Sequence, residues 1–371
     1  MSPYHDLNIA VMAIGFSQSL YAGIMFLLKK NARLPDRVLA VWLFFISVHM
    51  LLSLLNTRFS ITAFPFLPFI YGPLLYIYVS TLISEKPRLR YYYSSLIVPV
   101  IAFFVVSLIY RREPVLDLDV FLENDSLQAL RFSYAILLII SFLGYSVLTF
   151  IKLHRHRMRI RDLYSYTSQK ITLGWAMFVS ISFFVLYAAV FIIGFTRVLI
   201  RDFPLDPVLM GNIVLVFHAF AFSIFGFQQD RIYPGSPQSA SKKYSRSGLR
   251  KEEVDALGKR LVQVVEEKKM YLDPELSILD VSNALHVPRH YVTQALNEKI
   301  GKNFYHFINT YRVAAAKQKL IDPKNDRFTV LAVGYDAGFN SKSSFNTLFK
   351  KYAGMTPTEF RNTHRKMSGE D

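Results

Sequence analysis

The sequence predicts an all-α protein in two parts, a polytopic seven-helix membrane bundle followed by a small all-α domain with two helix-turn-helix units. Three observations predict it. Residues 1–227 contain seven apolar runs, and the length of each is close to that of a helix that crosses a bilayer, about 20 residues. The last third alternates apolar and polar residues with a helical period. The chain is 52% hydrophobic with a formal charge of +16, which favours a membrane and a nucleic acid as partners.

Residues 1–227 are predicted to form seven transmembrane helices. The first run has no basic stretch before it and no small-residue cleavage site, so we expect a retained helix rather than a removed signal peptide. The chain has no cysteine, which excludes disulfides and cysteine metal sites. The predicted spans are approximately Leu7–Leu28, Val38–Leu55, Phe66–Ile83, Tyr91–Tyr110, Phe132–Ile151, Ile171–Phe195 and Val208–Phe227.

The basic residues of the connections predict the orientation of these helices. The first, third and fifth connections carry 13 lysines and arginines, whereas the second, fourth and sixth carry 6. Because cytoplasmic connections are enriched in basic residues, we expect the odd connections and everything after residue 227 inside, and the N-terminus outside.

Two regions are candidates for receiving a signal. The polar residues Gln18, His49 and His218 lie within predicted spans, where such groups mark functional sites or hydrogen-bond a neighbouring helix; we favour the second interpretation. The outer connection Arg111–Arg131 is acidic and suits either a cation or cationic peptide or a simple solvated connector.

Residues 330–352 predict one helix, a tight turn and a second helix. Val330, Val333 and Ala337 share one helical face, and Gly338 follows where a helix commonly ends in a left-handed residue. Ser341 can cap the next helix. In that helix Phe345, Leu348, Phe349 and Tyr352 form the apolar face, and the opposite face is polar and basic, with Lys342, Ser343, Asn346, Thr347 and Lys350.

A longer pattern around this turn resembles the C-terminal signature of AraC/XylS-type transcription regulators. The resemblance covers roughly residues 249–366 and implies an all-helical DNA-binding domain with two helix-turn-helix units. The sugar-binding domain of many soluble relatives is absent, so their effectors are not carried over. The matching residues are Gly338, Phe339, Ser341, Ser343, Phe345, Phe349, Lys350, Lys351, Gly354, Thr356, Pro357, Phe360 and Arg361.

The other helix-turn-helix unit is expected at residues 276–301. Ile278, Val281, Ala284 and Leu285 form the apolar stripe of one helix and His286–Pro288 the turn; the buried face of the next helix is Tyr291, Val292, Ala295 and Leu296. Residues 304–320 match the long helix that joins the two units in the resembled family. The predicted domains are therefore residues 1–227 as sensor or anchor, 228–248 as a flexible linker rich in Pro, Gly, Ser and Lys, and 249–371 as the DNA-binding domain.

The resemblance also implies roles for individual residues. Asn and Gln suit adenine, Lys suits guanine and the Thr methyl group suits thymine, while basic side chains and helix N-termini hold phosphates. Gly334, Gln294 and Thr347 depart from the residues usual in the family. The base-reading positions would be Arg289, His290, Thr293, Gln294, Lys342, Ser343, Asn346 and Thr347; the phosphate contacts Ser341, Lys350, Lys351 and Arg361; and the scaffold Leu285, Val287, Gly338, Phe339, Phe345, Phe349 and Pro357.

We therefore expect a membrane-anchored one-component transcription regulator of the bacterial inner membrane, with its C-terminal domain in the cytoplasm. Neither a catalytic site nor a cofactor or metal site is expected. Promoter DNA and the lipid bilayer are the expected partners; RNA polymerase, a second copy of the chain and an external or membrane-phase signal are candidates. The alternatives are a transporter or membrane enzyme with a regulatory DNA-binding tail, and an anchor that senses nothing.

Overall fold

The described part of the chain is helical throughout. The computed structural model describes residues 5–59, 67–84, 98, 100–106, 109, 118, 121–167, 169–200, 203–229 and 249–368. No strand forms among them, which confirms the all-α prediction for these residues. The α-helices are α1 His5–Leu28, α2 Leu34–Phe59, α3 Pro68–Ile83, α4 Gln128–Leu163, α5 Gln169–Thr172, α6 Gly174–Leu199, α7 Pro207–Gln228, α8 Lys251–Glu267, α9 Ile278–Leu285, α10 Arg289–Ala295, α11 Phe304–Ile321, α12 Val330–Asp336, α13 Lys342–Ala353 and α14 Pro357–Ser368.

Five helices, α1, α2, α4, α6 and α7, are long and apolar enough to cross a membrane. The sequence predicts seven, so the predicted number is wrong for the described residues. The third predicted span forms α3, which begins at Pro68 and has only 16 residues, fewer than the about 20 that cross the hydrocarbon. The fourth predicted span lies largely outside the described residues, as do most of the predicted linker and the first part of the acidic connection 111–131.

The chain divides into two compact units, of which the first comprises residues 1–154 and 173–234. Within it α1 packs along α2 and α7, and α6 packs along α7. These helices also carry large apolar side chains that are well exposed, such as Ile192 and Phe195 on α6. Apolar surface of this extent is typical of a helix that meets lipid or another protein.

Polar side chains within the first unit bond to neighbouring helices. Gln18 Nε2 donates to Ser223 Oγ at 3.0 Å, joining α1 to α7. A ring nitrogen of His49 lies 2.5 Å from the Tyr71 hydroxyl, joining α2 to α3. His218 Nε2 lies 3.3 Å from Ser182 Oγ, joining α7 to α6. The predicted hydrogen bonds of these three residues to neighbouring helices are therefore present.

The second unit comprises residues 155–172 and 235–371 and contains two hydrophobic cores. The first core lies among α8, α9, α10 and the start of α11, around Leu261, Val281, Val292 and Ile308. The second lies among the end of α11, α12 and α13, around Leu320, Val333, Phe345 and Phe349. Helix α11 contributes to both cores, so it fixes the spacing between two small helical modules.

Side-chain caps define where the helices of the second unit begin. Ser277 accepts a hydrogen bond from the Asp280 amide before α9, and Asn303 accepts one from the His306 amide before α11. Thr329 and Ser341 do the same before α12 and α13. A cap satisfies an amide that the first helical turn leaves unbonded, so these polar residues set the helix boundaries.

Candidate nucleic-acid interface

Helices α12 and α13 form a helix-turn-helix unit whose turn depends on Gly338. The φ angle of Gly338 is +90°, a left-handed conformation that glycine adopts without steric cost. A Cβ atom there would also collide with the Tyr271 carbonyl oxygen, so the turn packs directly on the backbone that precedes α9. Both the conformation and the close packing therefore require glycine, as the sequence pattern indicates.

Helix α13 presents one buried face and one exposed face. Phe345, Leu348 and Phe349 are at most 4% exposed and enter the second core. Phe339 packs against Phe345, with ring centroids 5.1 Å apart. The opposite face places the four predicted base-reading residues and two predicted phosphate-binding residues in solvent. These exposed residues are Lys342, Ser343, Asn346, Thr347, Lys350 and Lys351.

The predicted cap of this helix is confirmed. Ser341 accepts a hydrogen bond from the Ser344 amide at 3.2 Å and starts α13 at Lys342. The amides of the first turn therefore face the same end of the helix as Lys342 and Ser343. Such an end carries partial positive charge and attracts anionic oxygen atoms.

Gly334 explains how the two helices of this unit approach each other. A Cβ atom at Gly334 would lie 2.6 Å from the Phe345 ring, so the ring sits where alanine would place its methyl group. The departure from the usual family residue is therefore matched to the position of Phe345 and keeps the two helices in close contact.

Arg361 is placed differently from its predicted role. It is 6% exposed, and its guanidinium donates to the carbonyl oxygens of Phe328 and Asn325 at 2.8 and 2.9 Å. It thus ties α14 to the loop before α12 and does not face solvent, where a phosphate would bind. Pro357, a predicted scaffold residue, is buried at the first turn of α14.

The first helix-turn-helix unit consists of α9, a turn and α10. His286 ends α9 with a φ of +55°, and Ser282 Oγ donates to the Val287 carbonyl oxygen at 2.7 Å. Leu285 is buried and Val287 is half-buried against the first core. The turn is therefore stabilised by a residue in the left-handed conformation and by one side-chain hydrogen bond.

The four predicted base-reading residues of the first helix-turn-helix unit are all half-buried. The amide of Leu249 donates to Gln294 Oε1 at 3.3 Å, and Gln294 Nε2 donates to Glu298 at 3.2 Å. Thr293 Oγ1 donates to the Arg289 carbonyl oxygen. Burial lowers the pKa of Arg289, and nearby Tyr164 opposes that shift. The ring of His290 lies 4.2 Å from that of Tyr291. These side chains therefore already make contacts within the protein.

Arg312 is a buried residue of the second unit that no motif pointed to. It lies on α11 at one-turn spacings from Ile308 and Ala316, on the apolar face that enters the cores, and is 1% exposed. The signal available in the sequence was a lone arginine one helical turn from the apolar Ile308 and Ala316. Such a charge must be bonded, because an unpaired buried cation is costly.

The C-terminal part of the chain matches known helix-turn-helix proteins. Residues 281–363 match a family model described as a helix-turn-helix domain. SACOL0084 of Staphylococcus aureus, an uncharacterised HTH-type transcriptional regulator, is 27% identical over 99 residues, which are 27% of this chain and 13% of that protein. YisR of Bacillus subtilis, named likewise, is 32% identical over 85 residues, 23% of this chain and 29% of that protein.

A solved structure of a Listeria innocua protein of unknown function is also similar to part of the chain. It is 24% identical with a TM-score of 0.26, covering 29% of this chain and 95% of that one. The chain therefore carries a helix-turn-helix domain toward its C-terminus. It spans less than a third of the length of either of these curated relatives.

Proposed function

We propose that this chain is a membrane-anchored one-component transcription regulator that reads promoter DNA with its two recognition helices, α10 and α13. The observation that carries the proposal is the solvent-exposed polar and basic face of α13, set on a buried aromatic scaffold and capped at its N-terminus. A recognition helix of this kind enters the major groove with its N-terminal residues on the base edges.

Five exposed side chains of α13 suit particular groups of DNA. The Asn346 amide suits adenine N6 and N7, the Lys342 ammonium suits guanine O6 and N7, and the Thr347 methyl group suits the thymine methyl. Lys350, Lys351 and the amides beside Ser341 suit phosphate oxygens, which position the helix without reading sequence. The role of Arg361 is different, because its guanidinium stabilises the fold.

The apolar helices of the first unit support the membrane part of the proposal. Five of them are long enough to cross a bilayer. Basic residues cluster after α1 and along the last turns of α4, which supports a cytoplasmic location for these ends and, two spans later, for the C-terminal domain. An external or membrane-phase signal, RNA polymerase and a second copy of the chain are the further partners of this proposal, and the regulator would act on DNA brought to the inner membrane.

The test removes the two base contacts of α13 that carry the strongest chemistry. Lys342→Ala with Asn346→Ala should weaken binding of a duplex that the native full chain selects from a randomised library by at least about 30-fold. Each lost base contact costs about 1–3 kcal/mol. Binding is measured with the full chain in lipid nanodiscs.

The matched control is Lys324→Ala with Asn362→Ala, which removes the same residue types from exposed positions on neither recognition helix. It should bind the selected duplex like the native chain. Equal affinity of the native chain and the α13 variant would contradict the assignment.

A further inference from the structure

The buried Arg312 is held by neutral oxygen atoms, two of which belong to Ser165. Its Nη1 donates to the Ser165 carbonyl oxygen and its Nη2 to Ser165 Oγ, both at 2.8 Å. Its Nε and Nη2 donate to the carbonyl oxygens of Tyr271 and Asp273 at 2.8 and 2.6 Å. Burial lowers the pKa of Arg312 to about 10. Without Ser165, Nη1 would keep only Asn309 Oδ1 at 3.4 Å and Nη2 only the Asp273 carbonyl oxygen, so the buried guanidinium would lose two hydrogen bonds, which is unfavourable.

Ser165 is also bonded to the start of the first helix-turn-helix unit. It is fully buried, and both its amide and its hydroxyl donate to the Leu276 carbonyl oxygen, at 3.1 and 2.7 Å. Asn309 Nδ2 donates to the Ser165 carbonyl oxygen at 2.8 Å. One serine therefore links Leu276, two residues before α9, to α11, the helix that contributes to both hydrophobic cores.

The neighbours of Ser165 extend this contact along the chain. Tyr164 forms an isolated antiparallel bridge with Ser277, the cap of α9. Leu163 packs against the first core. Thr167 hydrogen-bonds Tyr305 on α11. Burial raises the pKa of Tyr164, and Arg289 at the start of α10 opposes that shift. The contact thus reaches the first recognition helix.

The segment that carries these residues, 155–172, comes from between apolar helices of the first unit. Residues 155–163 are the last turns of α4, which begins at Gln128 in the first unit, and the chain returns to that unit at Leu173. Within the first 234 residues, only this segment belongs to the second unit. Because α4 is continuous, a displacement along it reaches Ser165 through the backbone.

We propose that residues 155–172 are the signal input of the DNA-binding domain, and that docking of Ser165 between α9 and α11 holds both recognition helices in the DNA-competent arrangement. A signal that moves α4 withdraws Ser165, removes two acceptors from Arg312 and loosens the first helix-turn-helix unit. This inference rests on the DNA-binding function proposed above and adds its regulation.

A disulfide tests docking without reference to DNA. The native chain has no cysteine, so Tyr164→Cys with Ser277→Cys can form a single intramolecular bridge. Directly opposed residues of an antiparallel pair lie about 4.5–5.5 Å apart at Cα, within the range of a disulfide. The full chain in nanodiscs should crosslink on mild oxidation, whereas each single-cysteine variant should not. Absence of the crosslink would overturn docking whether or not the chain binds DNA.

The same crosslink tests coupling to DNA, because coupling between two sites is reciprocal. The duplex selected by the native chain should raise the crosslinking rate about fivefold or more, and a scrambled duplex should not. Equal rates with both duplexes would overturn the regulatory role. A native chain that selects no duplex would instead overturn the proposed function and this regulation with it, while the crosslink would still show whether the segment docks.

A bulky substitution at the buried serine provides a second test. Ser165→Arg should expel the segment, lower the affinity for the selected duplex about tenfold and abolish the crosslink in the double-cysteine chain. Met158→Arg adds the same side chain at a 53% exposed position of the same segment and should change neither. Native affinity of Ser165→Arg would contradict the inference, and if that variant does not fold, the crosslinking rates decide.

Discussion

The two recognition helices have the same place in their units but different surroundings. Helix α13 has 12 residues, a serine cap and a polar face that lies in solvent. Helix α10 has 7 residues, starts at Arg289 after Pro288 without a side-chain cap, and keeps its predicted base-reading residues half-buried. The face of α13 is therefore exposed to a ligand as it stands, whereas the predicted base-reading residues of α10 also make contacts within the protein.

The covering of α10 comes from two parts of the chain. The Leu249 amide bonds Gln294, and Tyr164 lies near Arg289. Both partners lie on segments that lead toward the apolar helices in sequence. Under the proposed function, the comparison assigns constant recognition to α13 and regulation to α10, since the predicted base-reading residues of α10 contact other segments of the protein.

The largest effect is expected at the turns. Gly338→Ala should destabilise the second helix-turn-helix unit by about 3 kcal/mol or more, because it adds a collision with the Tyr271 carbonyl oxygen to the strain of a positive φ. Gly301 ends the first helix-turn-helix unit with a φ of +71°, but no atom lies where a Cβ would be added, so Gly301→Ala should lower the free energy of unfolding by only about 1 kcal/mol. Chemical denaturation of the full chain in nanodiscs measures both, and equal losses would break the distinction between the turns.

A smaller effect is expected on the reading face of α10. Arg289→Ala with Gln294→Ala should weaken binding of the selected duplex by about tenfold at most, less than Lys342→Ala with Asn346→Ala. The reason is that Gln294 already bonds Leu249 and Glu298 and gains less on DNA. Titration of the same duplex with both variants measures the ratio of the two affinity losses. A larger loss for the α10 variant would assign the principal base reading to the first helix-turn-helix unit.

The smallest effect concerns pH. Burial, then Lys351, Arg161 and Lys302, lower the pKa of His306, whose Nδ1 lies 2.8 Å from the Tyr352 hydroxyl at the end of α13. The unfolded chain then binds the proton more tightly, so the contribution to stability is complete above the unfolded pKa of about 6.5 and is lost as pH falls below it. His306→Gln should reduce the slope of stability against pH in calorimetry from about pH 7 to 5; an unchanged slope would exclude His306 as its source.

Local patterns predicted the helix boundaries of the second helix-turn-helix unit to within a residue or two, because caps, turn glycines and apolar periods lie close together in the sequence. Ser341 caps a helix that begins one residue later, Gly338 takes the left-handed conformation, and the apolar period of α13 is uninterrupted. The bond from Arg312 to Ser165 joins residues 147 positions apart, and periodicity contains no information on such pairs.

Two other predictions failed for physical reasons that a motif does not contain. Arg361 matches the family pattern, but the carbonyl oxygens that bury it come from the loop before α12. The third apolar run has the composition of a span, yet α3 begins only at Pro68 and ends at Ile83, where the Ser84 backbone becomes extended. Composition measures how apolar a stretch is, whereas the helix length depends on its ends.

The central claim is that α13 reads base sequence, and base-resolved selection tests it most directly. The native full chain and the Lys342→Ala/Asn346→Ala variant are each used to select duplexes from the same randomised library in nanodiscs. The account predicts a defined motif for the native chain and loss of preference at adjacent base pairs for the variant, with residual salt-dependent binding retained. An identical motif from both proteins would contradict it.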